Sequence, residues 1–121
     1  MNKSQAIHNF WSSFGLFAYD TYSVPAEAAF PYITYELSLD SFDNEVYLSA
    51  SIWDYSTSWE NISKKTDEIS KSLGGGGKML AFDEGAVWIK KGSPFAQRMG
   101  DEVNDNIKRM LINISAEFIS E

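Results

Sequence analysis

The chain has 121 residues, 44% of them apolar, and a formal charge of −7. That length predicts one domain, residues 1–121, around a single core. The charge speaks against gripping phosphate backbones, which needs Lys and Arg to displace counterions, and the absence of cysteine excludes disulfide frameworks and thiolate metal sites.

No apolar run reaches the length of a membrane span. His8, Asn9, Ser12 and Ser13 interrupt the N-terminal apolar stretch, so no signal-peptide core is expected. A soluble, cytoplasmic protein is the simplest expectation.

Residues 3–18 predict an amphipathic helix. Ile7, Phe10, Trp11, Phe14, Phe17 and Ala18 follow helical spacing, and Gly15 weakens the last turn. Residues 19–30 read as irregular, with Asp20-Thr21 suited to a turn and Ala26–Ala29 to one helical turn.

Residues 30–55 predict a hairpin. Ile33, Tyr35, Leu37 and Leu39 alternate along the first half, and Val46, Leu48, Ala50 and Ile52 along the second. One register matches every apolar pair: Leu39 with Val46, Leu37 with Leu48, Tyr35 with Ala50, Ile33 with Ile52. Ser41–Asn44 form the loop. The other face pairs Tyr32 with Trp53, Thr34 with Ser51, Glu36 with Ser49 and Ser38 with Tyr47. That face suits water or another subunit.

Thr57 and Glu60 have capping-box spacing, and a helix is expected through Ser72. Trp59, Ile62, Ile69 and Leu73 mark its apolar side. Gly74–Gly77 and Lys78 then follow. A phosphate loop is rejected: Ser72 stands where its first Gly belongs, Met79 where its hydroxyl belongs, and the run follows a helix rather than a strand. A helix C-cap with a flexible loop is the expectation.

A second hairpin is expected over Lys78–Phe82 and Ala86–Lys90, with Asp83-Glu84-Gly85 as a three-residue loop. One face would carry Met79, Ala81, Val87 and Ile89, the other Leu80, Phe82, Ala86 and Trp88. Both are apolar, so both need cover, and a second chain is a candidate for one of them. Gly92–Gly100 reads as a loop or short helical turn. Asp105–Ser120 fits strand or helix, and its isoleucines favour strand. Together these elements make an α+β fold. Its sheet, mixed or antiparallel with about four to five strands, is flanked by two helices.

Catalytic chemistry is not expected. The one histidine, His8, reads as solvated or capping, and no Gly-x-Ser-x-Gly elbow is present. Asp83-Glu84 and Asp101-Glu102 are better explained by turns. Asp40, Asp43, Asn44 and Glu45 lack calcium-loop spacing. No cofactor, metal or catalytic residue is assigned.

Five stretches carry a resemblance: Phe30–Tyr35, Ser51–Ser56, Gly85–Ile89, Pro94–Met99 and Ile107–Asn113. With the order of elements, they make the chain similar to the small tail terminator (tail completion) proteins of long-tailed bacteriophages, sometimes called minor capsid proteins. The resemblance spans nearly the whole chain and rests on packing residues. It also favours strand for the last segment. It implies a homo-oligomeric ring, typically hexameric, that caps the tail tube, stops its polymerisation and meets the head connector. The implied partners are other copies of the chain, the tail tube protein and the head-tail connector protein. The implied location is the virion, after assembly in the host cytoplasm, with no membrane and no specific nucleic-acid binding. DNA would pass through the lumen, past acidic candidates Glu36, Asp40 and Glu45.

Trp88, Phe95, Gln97, Arg98 and Met99 are the candidate subunit-contact residues, because Trp and Arg are favoured interface anchors. Packing of these residues onto their own core is the competing expectation. Trp53 and Trp59 are assigned to the core. Two rival readings stand beside the ring: a head-side neck protein, and a monomeric cytoplasmic protein-binding module that uses the aromatic helix.

Overall fold

The computed structural model describes residues 1–37 and 45–120. The first helix, α1, spans Lys3–Ser12. Asn2 and Gln5 cap it reciprocally, each side chain accepting the other's backbone N–H at 2.9 Å. This satisfies two amides that the helix leaves unpaired. The helix stops well before residue 18. Gly15 takes φ +82, a left-handed conformation that no α-helix continues. The chain then turns into a strand, β1, Phe17–Asp20. The sequence pattern hid this strand because Phe17 and Ala18 also fit the helical stripe.

β2 spans Tyr32–Tyr35 and β3 spans Glu45–Tyr55. Four of the expected pairs form: Tyr32 with Trp53, Ile33 with Ile52, Thr34 with Ser51 and Tyr35 with Ala50. β2 is shorter than expected. Glu36 N–H still bonds the Ser49 carbonyl at 2.9 Å, but Leu37 lies outside the ladder. The Leu39–Val46 pair, the Ser38–Tyr47 pair and the Ser41–Asn44 loop lie outside the described residues.

The second helix, α2, spans Glu60–Leu73. The Thr57 capping box does not form. Trp59 occupies the N-cap position without a side-chain bond, and Ser58 Oγ accepts the Glu60 N–H instead at 3.0 Å. Ile62, Thr66, Ile69 and Leu73 are buried at helical spacing. Thr66 is tolerated there because its hydroxyl donates to the Ile62 carbonyl at 2.8 Å. The glycine run ends the helix, with Gly74 at φ 64 as C-cap.

β4 (Lys78–Phe82), β5 (Gly85–Gly100) and β6 (Ile107–Ser120) complete the sheet. The β4–β5 turn has two residues, since Gly85 pairs with Phe82. Losing one loop residue slips the register by one and exchanges faces. Leu80, Phe82, Val87 and Ile89 share the core face, and Met79, Ala81, Ala86 and Trp88 the other. The 92–100 segment is strand rather than loop: β5 runs on to Gly100 after an irregularity between Lys91 and Ala96. The last segment is strand, as expected.

Among the described residues the sheet has six strands, more than expected, in the order β1-β2-β3-β6-β5-β4. β1 and β2 are parallel; every other neighbouring pair is antiparallel. α1 packs against both edge strands, β1 and β4, while α2 packs on β3, β5 and β6. A flat sheet of this width spans about 24 Å between its edges. A ten-residue helix is only about 15 Å long, so the sheet curls around its helices. Asp83 N–H bonds the Met1 carbonyl at 2.8 Å, and Lys65 Nζ bonds the Phe14 carbonyl at 2.6 Å. These two contacts fasten the ends of α1 to the β4–β5 turn and to α2. Trp11, Ile33, Ile52, Ile69, Val87, Ile112 and Phe118 fill the space between, each worth about 1.5–3 kcal/mol on burial for the aliphatics and Phe.

Candidate assembly surface

The two helices cover one face of the sheet and leave the other open. The registers set Phe17, Tyr32, Trp53, Arg109 and Met99 in one row across β1, β2, β3, β6 and β5. The next row is Tyr19, Thr34, Ser51, Leu111 and Gln97. At the usual strand spacing each row is about 19 Å long.

The rings make a continuous run. Phe17 and Tyr19 stack at 6.5 Å between centroids, Tyr19 meets Tyr32 edge-on at 5.9 Å, and Tyr32 stacks on Trp53 at 6.4 Å. Phe30 sits 5.4 Å from Tyr32 and 5.9 Å from Tyr55. Phe17 is 75% exposed and Tyr55 53%. Burial, and secondarily the neighbouring Tyr19, pushes the Tyr32 pKa up. Hydrogen bonds with Asn104, then Asn106, lower that of Tyr55. Exposed apolar surface gathered in this way is a general feature of interaction sites, which makes this face the candidate.

Trp53 is therefore on the open face rather than interior, whereas Trp59 packs against the core from its margin; both are half-buried and both carry cations. Arg109 lies 4.8 Å from the Trp53 centroid, while Arg98 and Lys108 lie 5.2 and 5.6 Å from that of Trp59. The polar atoms under the rings are satisfied: Thr34 Oγ1 accepts from Trp53 Nε1, and Ser51 Oγ from Arg109 Nε, each at 2.9 Å.

The five contact candidates do not form one cluster. Gln97 and Met99 are exposed on the open face, in the two rows described. Arg98 points the other way, toward Trp59. Phe95 lies in the irregular part of β5, partly buried against the core. Trp88 is on the open face near β4, its Nε1 donating to the Gly76 carbonyl at 2.8 Å, with Lys90 Nζ 4.3 Å above its ring. Met79 beside it is 52% exposed. Among the described residues, the apolar cover expected on both faces of this hairpin is thus present on one face only.

Two features escaped the sequence reading. His8 bridges two elements: its Nδ1 lies 2.9 Å from Tyr35 Oη and its Nε2 3.1 Å from Ser12 Oγ. Helical spacing places Ser12 one turn after His8, but the partner on β2 was not legible. The second is a charge asymmetry. No Lys or Arg occurs between Lys3 and Lys64, so β1, β2 and β3 carry no cation. Lys78, Lys90, Lys91, Arg98, Lys108 and Arg109 all lie on β4, β5 and β6. That signal was in the sequence, but the strand order gives it meaning by placing the two sets on opposite sides of the sheet.

The fold recurs in a virion particle. A chain of the solved structure "Virion of native gene transfer agent (GTA) particle" superposes with a TM-score of 0.61, covering 95% of this chain and 90% of that one. Sequence identity is 15%, so the likeness is one of fold. The sequence matches no protein-family model and no curated protein.

Proposed function

We propose that this chain is a virion structural protein that assembles as a hexameric ring, caps a tail tube, stops its polymerisation and joins the tail to the head connector. The observation that carries this reading is the open aromatic sheet face, on a fold shared with a chain of a gene transfer agent virion. The step from shared fold to tail capping is an analogy, supported by the resemblance of the sequence to tail terminator proteins.

The work of such a protein is contact rather than catalysis. One surface joins neighbours, one seats on the tube and one meets the neck. The net charge of −7 per copy suits a lumen through which DNA slides without sticking. Within that reading, Glu36 and Glu45 are lumen candidates. Glu36 accepts the Ser49 N–H at 2.7 Å, and Glu45 pairs with Lys90 at 3.3 Å. Asp40 lies outside the described residues.

The test is tube capping. Purified protein added to polymerising tail tube subunits is expected to shorten the tubes and to label one end only. It is also expected on purified tails rather than on DNA-filled heads. Tubes of unchanged length with no end label would overturn the capping role, and the protein on heads alone would move it to the neck.

A further inference from the structure

We infer, on the ring reading above, that neighbouring copies join by extending the sheet: β1 of one copy pairs antiparallel with residues 96–100 of β5 in the next, with Asp20 opposite Arg98. β4 covers β5 only from Gly85 to Ile89. Beyond Ile89, β5 is paired with β6 alone among the described residues. Pro94 and the irregularity before Ala96 interrupt the first part of this free edge. Ala96–Gly100 is a clean run of extended backbone, and Gln97, Arg98, Met99 and Gly100 are all exposed. At the far side, Phe17–Asp20 of β1 is paired, among the described residues, with β2 alone.

Strand sense fits. β1 runs with β2, and each later step across the sheet to β5 reverses direction. β1 and β5 therefore run oppositely, and copies placed side by side in one orientation meet as an antiparallel pair. Setting Asp20 opposite Arg98 also sets Tyr19 opposite Met99 and Ala18 opposite Gly100. Tyr19 and Met99 then meet on the open face, where thioether–ring contact is favourable. Asp20 and Arg98 meet on the helix side.

Charge selects the second copy as the occupant. The β1 side of the sheet is without cations, whereas strands β4, β5 and β6 carry six, balanced by Asp83, Glu84, Asp101, Glu102 and Asp105 in their connections and Glu117 on β6. Neither Asp20 nor Arg98 takes part in an ion pair among the described residues. Two β1 edges would bring Asp20 carboxylates together with no cation on β1 to offset them, whereas the β5 edge offers Arg98, so the arrangement favours a head-to-tail contact over pairing of two β1 edges. Head-to-tail contacts close into rings when the rotation permits. Exposed edges are normally blunted in monomers, and here Phe17, Gln97 and Met99 leave them open.

The test uses charge reversal with light scattering. Wild type is expected at about 80 kDa, six times the 13.6 kDa chain. Asp20→Arg and Arg98→Asp, each alone, are expected to run at 13.6 kDa, with circular dichroism confirming that they fold. Mixing the two variants restores the opposite charge at every contact of an alternating ring, so the large species is expected to return. The Asp20→Arg/Arg98→Asp double variant is expected to recover it too. If wild type forms the ring and both single variants still do, this interface is wrong while the ring stands. Failure of the mixture and the double variant to recover also overturns the pairing. A wild-type chain at 13.6 kDa under every condition overturns the ring itself.

Discussion

The Arg109 guanidinium lies 4.8 Å from the Trp53 ring centroid while its Nε donates to Ser51 Oγ at 2.9 Å. Trp53 Nε1 donates in turn to Thr34 Oγ1. One planar cation thus ties β6 to β3, and the indole ties β3 to β2. Arg109→Ala is expected to cost about 1–2 kcal/mol, combining a cation–aromatic contact with one hydrogen bond. Arg109→Lys should recover only part of this, because an ammonium lacks the flat stacking surface. Urea unfolding midpoints read both changes, and a neutral Arg109→Ala would refute the linkage.

Two glycines of one run are expected to behave differently. Gly77 has φ +84, and an added Cβ would lie 2.5 Å from the Ile89 carbonyl oxygen. Gly75 has open space around it. Gly77→Ala should therefore cost about 1–3 kcal/mol through backbone strain and collision, whereas Gly75→Ala should be neutral or stabilise by about 0.4–1 kcal/mol. Equal losses at the two sites would remove the steric account.

Tyr35 predicts an alkaline limit to stability. Burial, then the neighbouring Asp20 carboxylate, raises its pKa above the ordinary 10.0. The folded state thus holds the phenol proton more tightly than the unfolded state. The resulting stabilisation is complete below pH 10 and is lost as pH rises through the folded value. Thermal melts of wild type should fall above pH 10. Tyr35→Phe should lower stability near neutrality by about 1 kcal/mol, through loss of the His8 bond, and flatten the alkaline decline. An identical decline in the variant would assign the limit to other groups.

Exposed and buried aromatics should separate assembly from folding. Phe17→Ser is expected to change unfolding free energy by no more than about 0.5 kcal/mol and to weaken self-association. Phe118, fully buried, should cost about 3–5 kcal/mol as Phe118→Ala. Light scattering beside chemical denaturation measures the two effects. Unchanged assembly in Phe17→Ser would remove that ring from the interface.

Much of the architecture was legible in the sequence because local patterns carried it. Alternation placed Tyr32–Tyr35 against Ala50–Trp53 in the correct register, since one face of each strand had to be buried together. The α2 stripe and the glycine stop were equally readable. The misses share a cause. Phe17 and Ala18 satisfy helical and strand spacing alike, and only the conformation of Gly15 and pairing with β2 decide between them. Gly92–Gly100 holds Gly, Ser and Pro, which suggest a loop, yet pairing with β6 draws it into the sheet. Gly85 was assigned to the turn, and its pairing with Phe82 exchanged the faces of the β4–β5 hairpin.

The candidate surface divides the same way. By itself the sequence determined the residue types: a cation-free stretch from residue 4 to 63 and aromatics at alternating positions, from which Trp88, Phe95, Gln97, Arg98 and Met99 stood out as candidate contacts. These are properties of composition and spacing, which a linear chain states in full. Only the tertiary structure decided which of them share a face. Five strands from distant parts of the chain bring Phe17, Tyr32, Trp53, Arg109 and Met99 into one row, and the strand order sets the cationic strands opposite the cation-free ones. Adjacency across a sheet depends on pairing between residues far apart in sequence, and burial of the whole core selects that pairing.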